Sequence, residues 1–290
     1  MDNFCIITNN EKDRGFVFSK EIRDYIIAKG KHCVIPKESM IHIMEYDPYI
    51  DVNDIPEETE CAIILGGDGT LIHAANDLFH RQIPLLGVNI GTLGFLTEVD
   101  KEHVYNALER LFADEYTLDK RMMLRSTIMD NSRVAYQGYA LNDVVISKRG
   151  MSRIITVEVY VNDQMIDTYL CDGMIVSTAT GSTGYNLSAG GPMVVPGLEA
   201  MIITAICPHS LHNRCVMVSA TDELKLVLGK SKEGSHIDAA SAIHDGRVIR
   251  SLCSGDVIHI SKAEQSTNLL KVNDTNFFEI VRSKIMRGRC

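Results

Sequence analysis

The chain has 290 residues, 45% of them hydrophobic and 23% charged, which fits a globular protein long enough for two cores and excludes a disordered or fibrous chain. A net charge of −9 and a pI near 5.6 argue against a nucleic-acid or membrane-surface partner, so an anionic ligand needs local backbone dipoles, a few basic side chains or a divalent cation. No apolar stretch reaches the roughly 18 residues of a membrane span and Met1-Asp2-Asn3-Phe4 opens without a basic segment, so neither anchor nor signal peptide is expected and the expected location is the cytoplasm.

In chain order, Phe4-Cys5-Ile6-Ile7 predicts a short buried strand, Lys20 to Ala28 a helix closed by Gly30, and Cys33-Val34-Ile35 a second strand. A loop rich in Asp, Glu and Pro, Asp47 to Glu60, leads to a third strand at Cys61-Ala62-Ile63-Ile64. That strand runs straight into Leu65-Gly66-Gly67-Asp68-Gly69-Thr70. Thr70 to Leu78 predicts the next helix and Pro84 to Val88 the next strand. Asp100 is the expected cap of a further helix, with Val104, Ala107, Leu108, Leu111 and Phe112 on one face. Alternation of this kind predicts a parallel α/β sheet with the glycine turn at a strand's carboxyl end, where such folds bind ligands.

Glycines 66, 67 and 69 are expected to take positive φ and to let the backbone approach a pyrophosphate. Asp68 at the centre would repel phosphate unless it has chemistry to do or a cation beside it. The bland alternative makes Asp68 a cap for a helix beginning near Leu71.

Near residue 120 the periodicity falls to two. Leu124 to Met129, Val134 to Ala140, Val144 to Ser147, Ile154 to Val161, Met165 to Leu170, Met174 to Ser177, Leu224 to Leu228 and Val257 to Ile260 predict strands, with hairpin turns at Asp130-Asn131 and Asn162-Asp163. An all-β domain therefore follows the α/β one. Phe277 through Ile285 is amphipathic and more helical, and is expected to pack back on the first domain. The domain expectation is 1–119 with 266–290 returning to it, and 120–265. Eight cysteines, mostly inside apolar runs and without a C-x-x-C pair, read as reduced buried thiols. His209 and His212 near Cys207 and Cys215 lack a recognised ligand spacing, and no metal site is assigned there.

The second signal is the run from Asp172-Gly173 through Ser177-Thr178-Ala179-Thr180-Gly181-Ser182-Thr183-Gly184-Tyr185 to Ser188-Ala189-Gly190-Gly191-Pro192. Six Ser and Thr side chains within a dozen residues offer hydrogen bonds to a polyhydroxylated or phosphorylated ligand, and Tyr185 offers a face for a base. The alternative is a Ser/Thr-rich turn with Tyr185 in the core. Gly181-Ser182-Thr183-Gly184 imitates an RNA-binding G-x-x-G loop without basic neighbours. Gly229-Lys230-Ser231 imitates the end of a Walker A motif whose earlier glycine position holds Leu224.

Together, Gly66 to Thr70, Asn89-Ile90-Gly91-Thr92-Leu93-Gly94-Phe95-Leu96, Leu141-Asn142-Asp143 and Asp172 to Pro192 resemble the NAD kinase family, in this order and over nearly the whole chain. The glycine turn is shared with diacylglycerol and sphingosine kinases; the Asp172 to Pro192 run is not. The resemblance implies a Rossmann-like N-terminal domain, a C-terminal β-sandwich and a homo-oligomer, dimer or tetramer, whose sites are completed across subunits. It implies transfer of the γ-phosphoryl of ATP to the 2′-hydroxyl of the adenosine ribose of NAD, giving NADP, with Asp68 as base and Mg²⁺ or another divalent cation held mainly by phosphates.

It further implies that Gly66, Gly67, Gly69 and Thr70 cradle phosphate, that Asn142 and Asp143 bind adenosine, and that Asp172 contacts the nicotinamide half, often from a neighbouring subunit. Thr180, Thr183, Gly184, Tyr185 and Ser188 match positions lining adenine and ribose, with Phe95 near the adenine and Asn89 in the same cleft. Ala179, Gly184, Leu170-Cys171, Ala205 and Cys215 depart from the family pattern. Other readings of the same residues are a lipid kinase and a non-catalytic dinucleotide-binding regulator.

Overall fold

The structure, a computed structural model, describes residues 1–36, 52–91, 94–130, 133–150, 154–210, 214–229 and 240–286. The chain divides into two compact units, Met1–Arg121 with Ser266–Cys290, and Met122–Gln265. In chain order the first unit forms β1 (Asn3–Thr8), α1 (Val17–Ala28), β2 (His32–Val34), β3 (Cys61–Gly66), α2 (Asp68–Asp77), β4 (Leu85–Asn89), β5 (Val99–Asp100), α3 (Val104–Phe112) and β6 (Thr117–Arg121). The second contributes β7 (Leu124–Asp130), β8 (Arg133–Ala140), β9 (Asp143–Lys148), β10 (Ile155–Val161), β11 (Gln164–Cys171), β12 (Gly173–Thr178), α4 (Tyr185–Ser188), β13 (Ala200–Ile206), β14 (Val216–Ser219), β15 (Leu224–Leu228), β16 (Ala240–His244), β17 (Arg247–Leu252) and β18 (Val257–Lys262). The chain then returns to the first unit as β19 (Thr267–Lys271) and α5 (Phe277–Met286).

The first unit is built on one sheet of order β2-β1-β3-β4-β19-β6, with β5 beside β4. β2, β1, β3, β4, β5 and β19 run parallel, as expected of strands joined by helical crossovers; β6 is an antiparallel edge. β3 is buried along its whole length because helices cover both faces of its apolar run. Val104, Ala107, Leu108 and Leu111 bury the predicted face of α3 beside Ile22 and Ile26 of α1. Asp100 caps the entry to that helix, accepting from the His103 N–H at 3.0 Å.

Two expectations shift at helix starts: α1 begins at Val17 rather than Lys20, and α2 at Asp68 rather than near Thr70 or Leu71. None of Gly66, Gly67 and Gly69 takes a positive φ, and Gly67 is extended at −122°. These glycines serve closeness instead: a Cβ on Gly66 would lie 2.3 Å from Thr70 Oγ1.

The second unit is a sandwich of two antiparallel six-stranded sheets, β11-β10-β15-β18-β7-β8 and β14-β13-β12-β9-β16-β17. Alternate residues of both sheets meet in one core, among them Leu124, Val157, Leu226 and Ile258 from the first and Val144, Ile146, Val176 and Ile203 from the second. Asn162 and Asp163, at φ 48° and 62°, make the expected hairpin turn between β10 and β11. β12 is buried along its whole length, and just beyond its end Ala179 packs with Val194 and with Ile202 of β13 in a cluster outside the main core. The described cysteines are free thiols, but not all are buried as expected: Cys207 is exposed and Cys33, Cys215 and Cys253 are partly exposed. Asn131, His212, Lys230 and Ser231, and the expected loop between Asp47 and Asp51, lie outside the described residues. No helix among the described residues is long and apolar enough to cross a membrane.

Candidate functional site

The strand-to-helix turn after β3 leaves Gly67 as the N-cap of α2, and glycine has no side chain to occupy the first helical N–H groups. That end of a helix attracts an anion through its open N–H groups and dipole. The ammonium of Lys12 stands beside it: Nζ lies 3.3 Å from where a Cβ of Gly67 would be and 3.1 Å from that of Gly91, and it has no hydrogen-bond or ion-pair partner among the described residues. Lys12 lies in no motif of the sequence, and only the fold brings it to the turn.

Asp68 is the first residue of α2 and its side chain caps nothing there. Its carboxylate turns to the loop after β4, where Oδ2 accepts the Phe95 N–H at 2.6 Å and Oδ1 accepts the Leu96 and Thr97 N–H groups at 3.0 and 3.3 Å. Thr97 Oγ1 adds a longer contact at 3.5 Å. Gly94 is required for this geometry, because a Cβ there would lie 1.8 Å from Asp68 Oδ1. The cap reading of Asp68 therefore fails, and Gly94 joins the turn as a residue that residue type alone did not single out.

Around this carboxylate, Asn89 ends β4 in register with Gly66 of β3, and its Oδ1 accepts the Gly91 N–H at 2.8 Å. Phe95 is half-buried. Its ring lies 6.5 Å from that of Phe277 and 4.3 Å below Lys284 Nζ, so α5 of the returning tail packs on it. Thr92 and Leu93 lie outside the described residues.

In the second unit, Asn142 and Asp143 enter β9 against the Ser/Thr-rich turn. The Asn142 carbonyl accepts the Thr178 N–H at 2.8 Å and Ser177 Oγ at 3.2 Å, while Thr178 Oγ1 donates to the Leu141 carbonyl at 2.6 Å. Gly181 is indispensable here, since its Cβ would lie 2.2 Å from the Asn142 carbonyl oxygen. Asn142 Oδ1 is buried without a partner, and the Asp143 carboxyl makes no hydrogen bond among the described residues. Burial, with the Asp245 charge second, pushes the Asp143 carboxyl up to about 7. Just before Asp245 in the chain, burial pulls His244 down to about 4, and its Nε2 meets Ser126 Oγ at 2.7 Å.

The expectation that six hydroxyls face a ligand is corrected. Ser177, Thr178 and Ser182 donate to the backbone carbonyls of Asn142, Leu141 and Ala179, which leaves Thr183 and Ser188 as the clearest candidates. Thr183 Oγ1 makes only a long contact, 3.4 Å, to the Thr180 carbonyl. Buried Asn186 braces the turn, donating to the Ser182 and Pro192 carbonyls and accepting from Thr204 Oγ1 at 2.7 Å. Tyr185 is 47% exposed, which removes it from the core and leaves a ring face open. A Cβ on Gly184 would stand 3.3 Å from the Gly181 carbonyl oxygen, tight but not prohibitive. Asp172, at the entry to β12, pairs with Lys148 at 2.6 Å.

Against known proteins, the family model for the ATP-NAD kinase N-terminal domain matches residues 6–116 and that for the ATP-NAD kinase C-terminal domain matches residues 141–272. The chain is 41% identical to the NAD kinase of Lachnoclostridium phytofermentans over 286 residues, 98% of this chain and 99% of that one. It is 38% identical to the NAD kinase of Caldanaerobacter subterraneus over 98% of this chain and 99% of that one. Among solved structures, an NAD kinase from Archaeoglobus fulgidus in complex with ATP superposes with a TM-score of 0.74 at 26% identity, covering 97% of this chain and 99% of that one. Yeast NADH kinase complexed with NADH gives 0.85 at 21% identity, covering 99% and 88%, a likeness of fold.

Proposed function

The chain belongs to the NAD kinase family, and we propose that it transfers the γ-phosphoryl of ATP to the 2′-hydroxyl of the adenosine ribose of NAD, producing NADP. One observation carries the role of Asp68: a carboxylate in a phosphate-type turn that caps no helix and is held by three consecutive backbone N–H groups. A carboxylate offers about four acceptor sites, and Oδ2 accepts only the Phe95 N–H, so Oδ2 keeps a lone pair for the substrate hydroxyl. In the step, the O–H bond breaks with its proton passing to Oδ2, the 2′-oxygen bonds to the γ-phosphorus, and the bond from that phosphorus to the β–γ bridging oxygen breaks, releasing ADP. A positioned base of this kind contributes roughly 10²- to 10⁴-fold.

Phosphate is drawn to the open N–H groups of α2 and to the Lys12 ammonium, with Gly66, Gly67, Gly69 and Thr70 forming the turn. A divalent cation such as Mg²⁺ would be held mainly by the ATP phosphates, as the family resemblance implies. Bound there, the cation neutralises charge building on the phosphate oxygens.

Dinucleotide recognition falls to Asn142 and Asp143, whose polar side-chain atoms lack partners among the described residues, and to Thr180, Thr183, Gly184, Tyr185 and Ser188. Phe95, Asn89 and Asp172 are assigned to adenine, cleft and nicotinamide half by family position. Completion of the site by a second copy of the chain, as dimer or tetramer, and a cytoplasmic location belong to the same reading. The test is product analysis with ATP and Mg²⁺ against NAD, diacylglycerol and sphingoid bases in parallel. Phosphorylation of NAD alone is expected; a phosphorylated lipid, or NAD bound but never converted, would overturn the proposal.

A further inference from the structure

Asp245 lies about a hundred residues from the Asn142-Asp143 pair in sequence and in none of the segments that carry the family resemblance, yet it is the side chain most committed to that pair. With Gly246 it forms the two-residue turn joining β16 to β17, both residues at positive φ, 47° and 86°. An Asp-Gly turn of this type needs nothing from the carboxylate. Here Oδ2 accepts the Leu141 N–H at 2.6 Å, and Oδ1 accepts the Asn142 and Asp143 N–H groups at 2.9 and 2.8 Å. The Asp245 N–H returns a bond to the Asp143 carbonyl at 3.1 Å.

The segment so held leaves β8 in one sheet and enters β9 in the other, so N–H groups at the crossing lack ladder partners and need another acceptor. Its opposite side is held as well, because Ser177 and Thr178 take the carbonyls of Leu141 and Asn142. The backbone of 141–143 is thus tied on both sides, while Asn142 Oδ1 and the Asp143 carboxyl stay without partners among the described residues. A fixed backbone presenting unpaired side-chain groups is pre-organised for a ligand, since ordering has been completed before binding.

We infer that Asp245 is a positioning residue for the dinucleotide: by gathering the N–H groups of Leu141, Asn142 and Asp143 it holds the Asn142-Asp143 pair in its binding geometry. The inference rests on the reading that this pair binds NAD. Only an acceptor-only group suits three converging donors; an asparagine would turn its NH₂ toward one of them.

The experiment is steady-state NADP formation by the full chain carrying Asp245→Asn, Asp143→Asn or both. Asp245→Asn is expected to raise the KM for NAD about tenfold, leaving the KM for ATP and kcat within about threefold. The double variant should be little worse than the more affected single one, because both changes act on one unit. Parallel rises in both KM values, an unchanged NAD KM, or effects that multiply in the double variant would overturn the inference. If Asp143→Asn raises the NAD KM and Asp245→Asn does not, the inference alone fails; if neither does, the reading beneath it fails too. Should Asp245→Asn not fold, Asp245→Glu keeps an acceptor-only carboxylate but displaces it from the three N–H groups and is expected to give the same selective rise in NAD KM, a uniform loss counting against the inference.

Discussion

Replacing Gly94 by alanine would build a methyl 1.8 Å from Asp68 Oδ1, 2.5 Å from its Cγ and 2.6 Å from Thr97 Oγ1. To restore van der Waals contact the carboxylate must retreat by roughly 1 Å or more. The Leu96 and Thr97 N–H bonds, at 3.0 and 3.3 Å, do not survive such a shift. Each hydrogen bond to a charged group is worth about 1.5–3 kcal/mol, so roughly 3–6 kcal/mol of orientation is lost. Stability should fall by much less, because Asp68 is partly exposed and the displaced charge reaches water. A base misplaced by about 1 Å costs on the order of 10²-fold in rate. Steady-state NADP formation by Gly94→Ala should therefore show kcat lowered about 10²- to 10³-fold, with the KM values for NAD and ATP within about threefold of the parent. A folded variant with kcat within about threefold of the parent would refute the claim that these N–H groups set the base.

Two further substitutions separate phosphate from dinucleotide. Gly69→Ala meets no atom within 4 Å and has no positive φ, so it should raise the melting temperature slightly, by about 0.4–1 kcal/mol of stability, while raising the KM for ATP about tenfold by placing a methyl where phosphate meets backbone; an unaltered ATP KM would remove that contact. Asp143→Asn addresses burial, which together with Asp245 lifts the Asp143 carboxyl from 3.8 to about 7. The folded chain then holds a proton that the unfolded chain has lost, so this group's contribution falls as pH rises from about 4 to 7 and stays at its lowest above that. At about 1.4 kcal/mol per unit, the asparagine variant should gain up to roughly 4 kcal/mol over the parent near pH 8 and almost nothing near pH 4, in melts across that range. His244, pulled down to about 4 by burial, loses stability in the opposite direction as pH falls below 6.5, and cancels from the comparison because both proteins retain it. A difference independent of pH would contradict a buried, protonated Asp143.

The α/β frame was legible because its strands are unbroken apolar runs and its helices carry one apolar face, as in Cys61 to Leu65 and Val104 to Leu111. β6 and β19 were not: Thr117-Leu118-Asp119-Lys120-Arg121 is an edge strand exposed along most of its length, and its partner Thr267–Lys271 becomes a strand only by pairing with it and with β4. The residue types of the glycine turn pointed to phosphate, but Asp68 looks like a helix cap until its partners at 95–97 are known. In the second unit the run from Asp172 to Pro192 advertised its hydroxyls without revealing which ones the chain's own backbone takes. Asp245 was beyond reach for the same reason: an Asp-Gly pair predicts a turn, and hydrogen bonds to N–H groups a hundred residues earlier leave no periodic trace.

The proton transfer from the adenosine 2′-hydroxyl to Asp68 proposed above is tested most directly by comparing the parent and Asp68→Asn for NAD binding and for NADP formation with ATP and Mg²⁺. The asparagine keeps the size of the side chain but loses its basicity and, with an NH₂ facing the Phe95 N–H, one of its three backbone bonds, so binding of NAD should stay within about threefold while turnover falls by roughly 10²- to 10⁴-fold. Undiminished turnover in that variant would contradict the account.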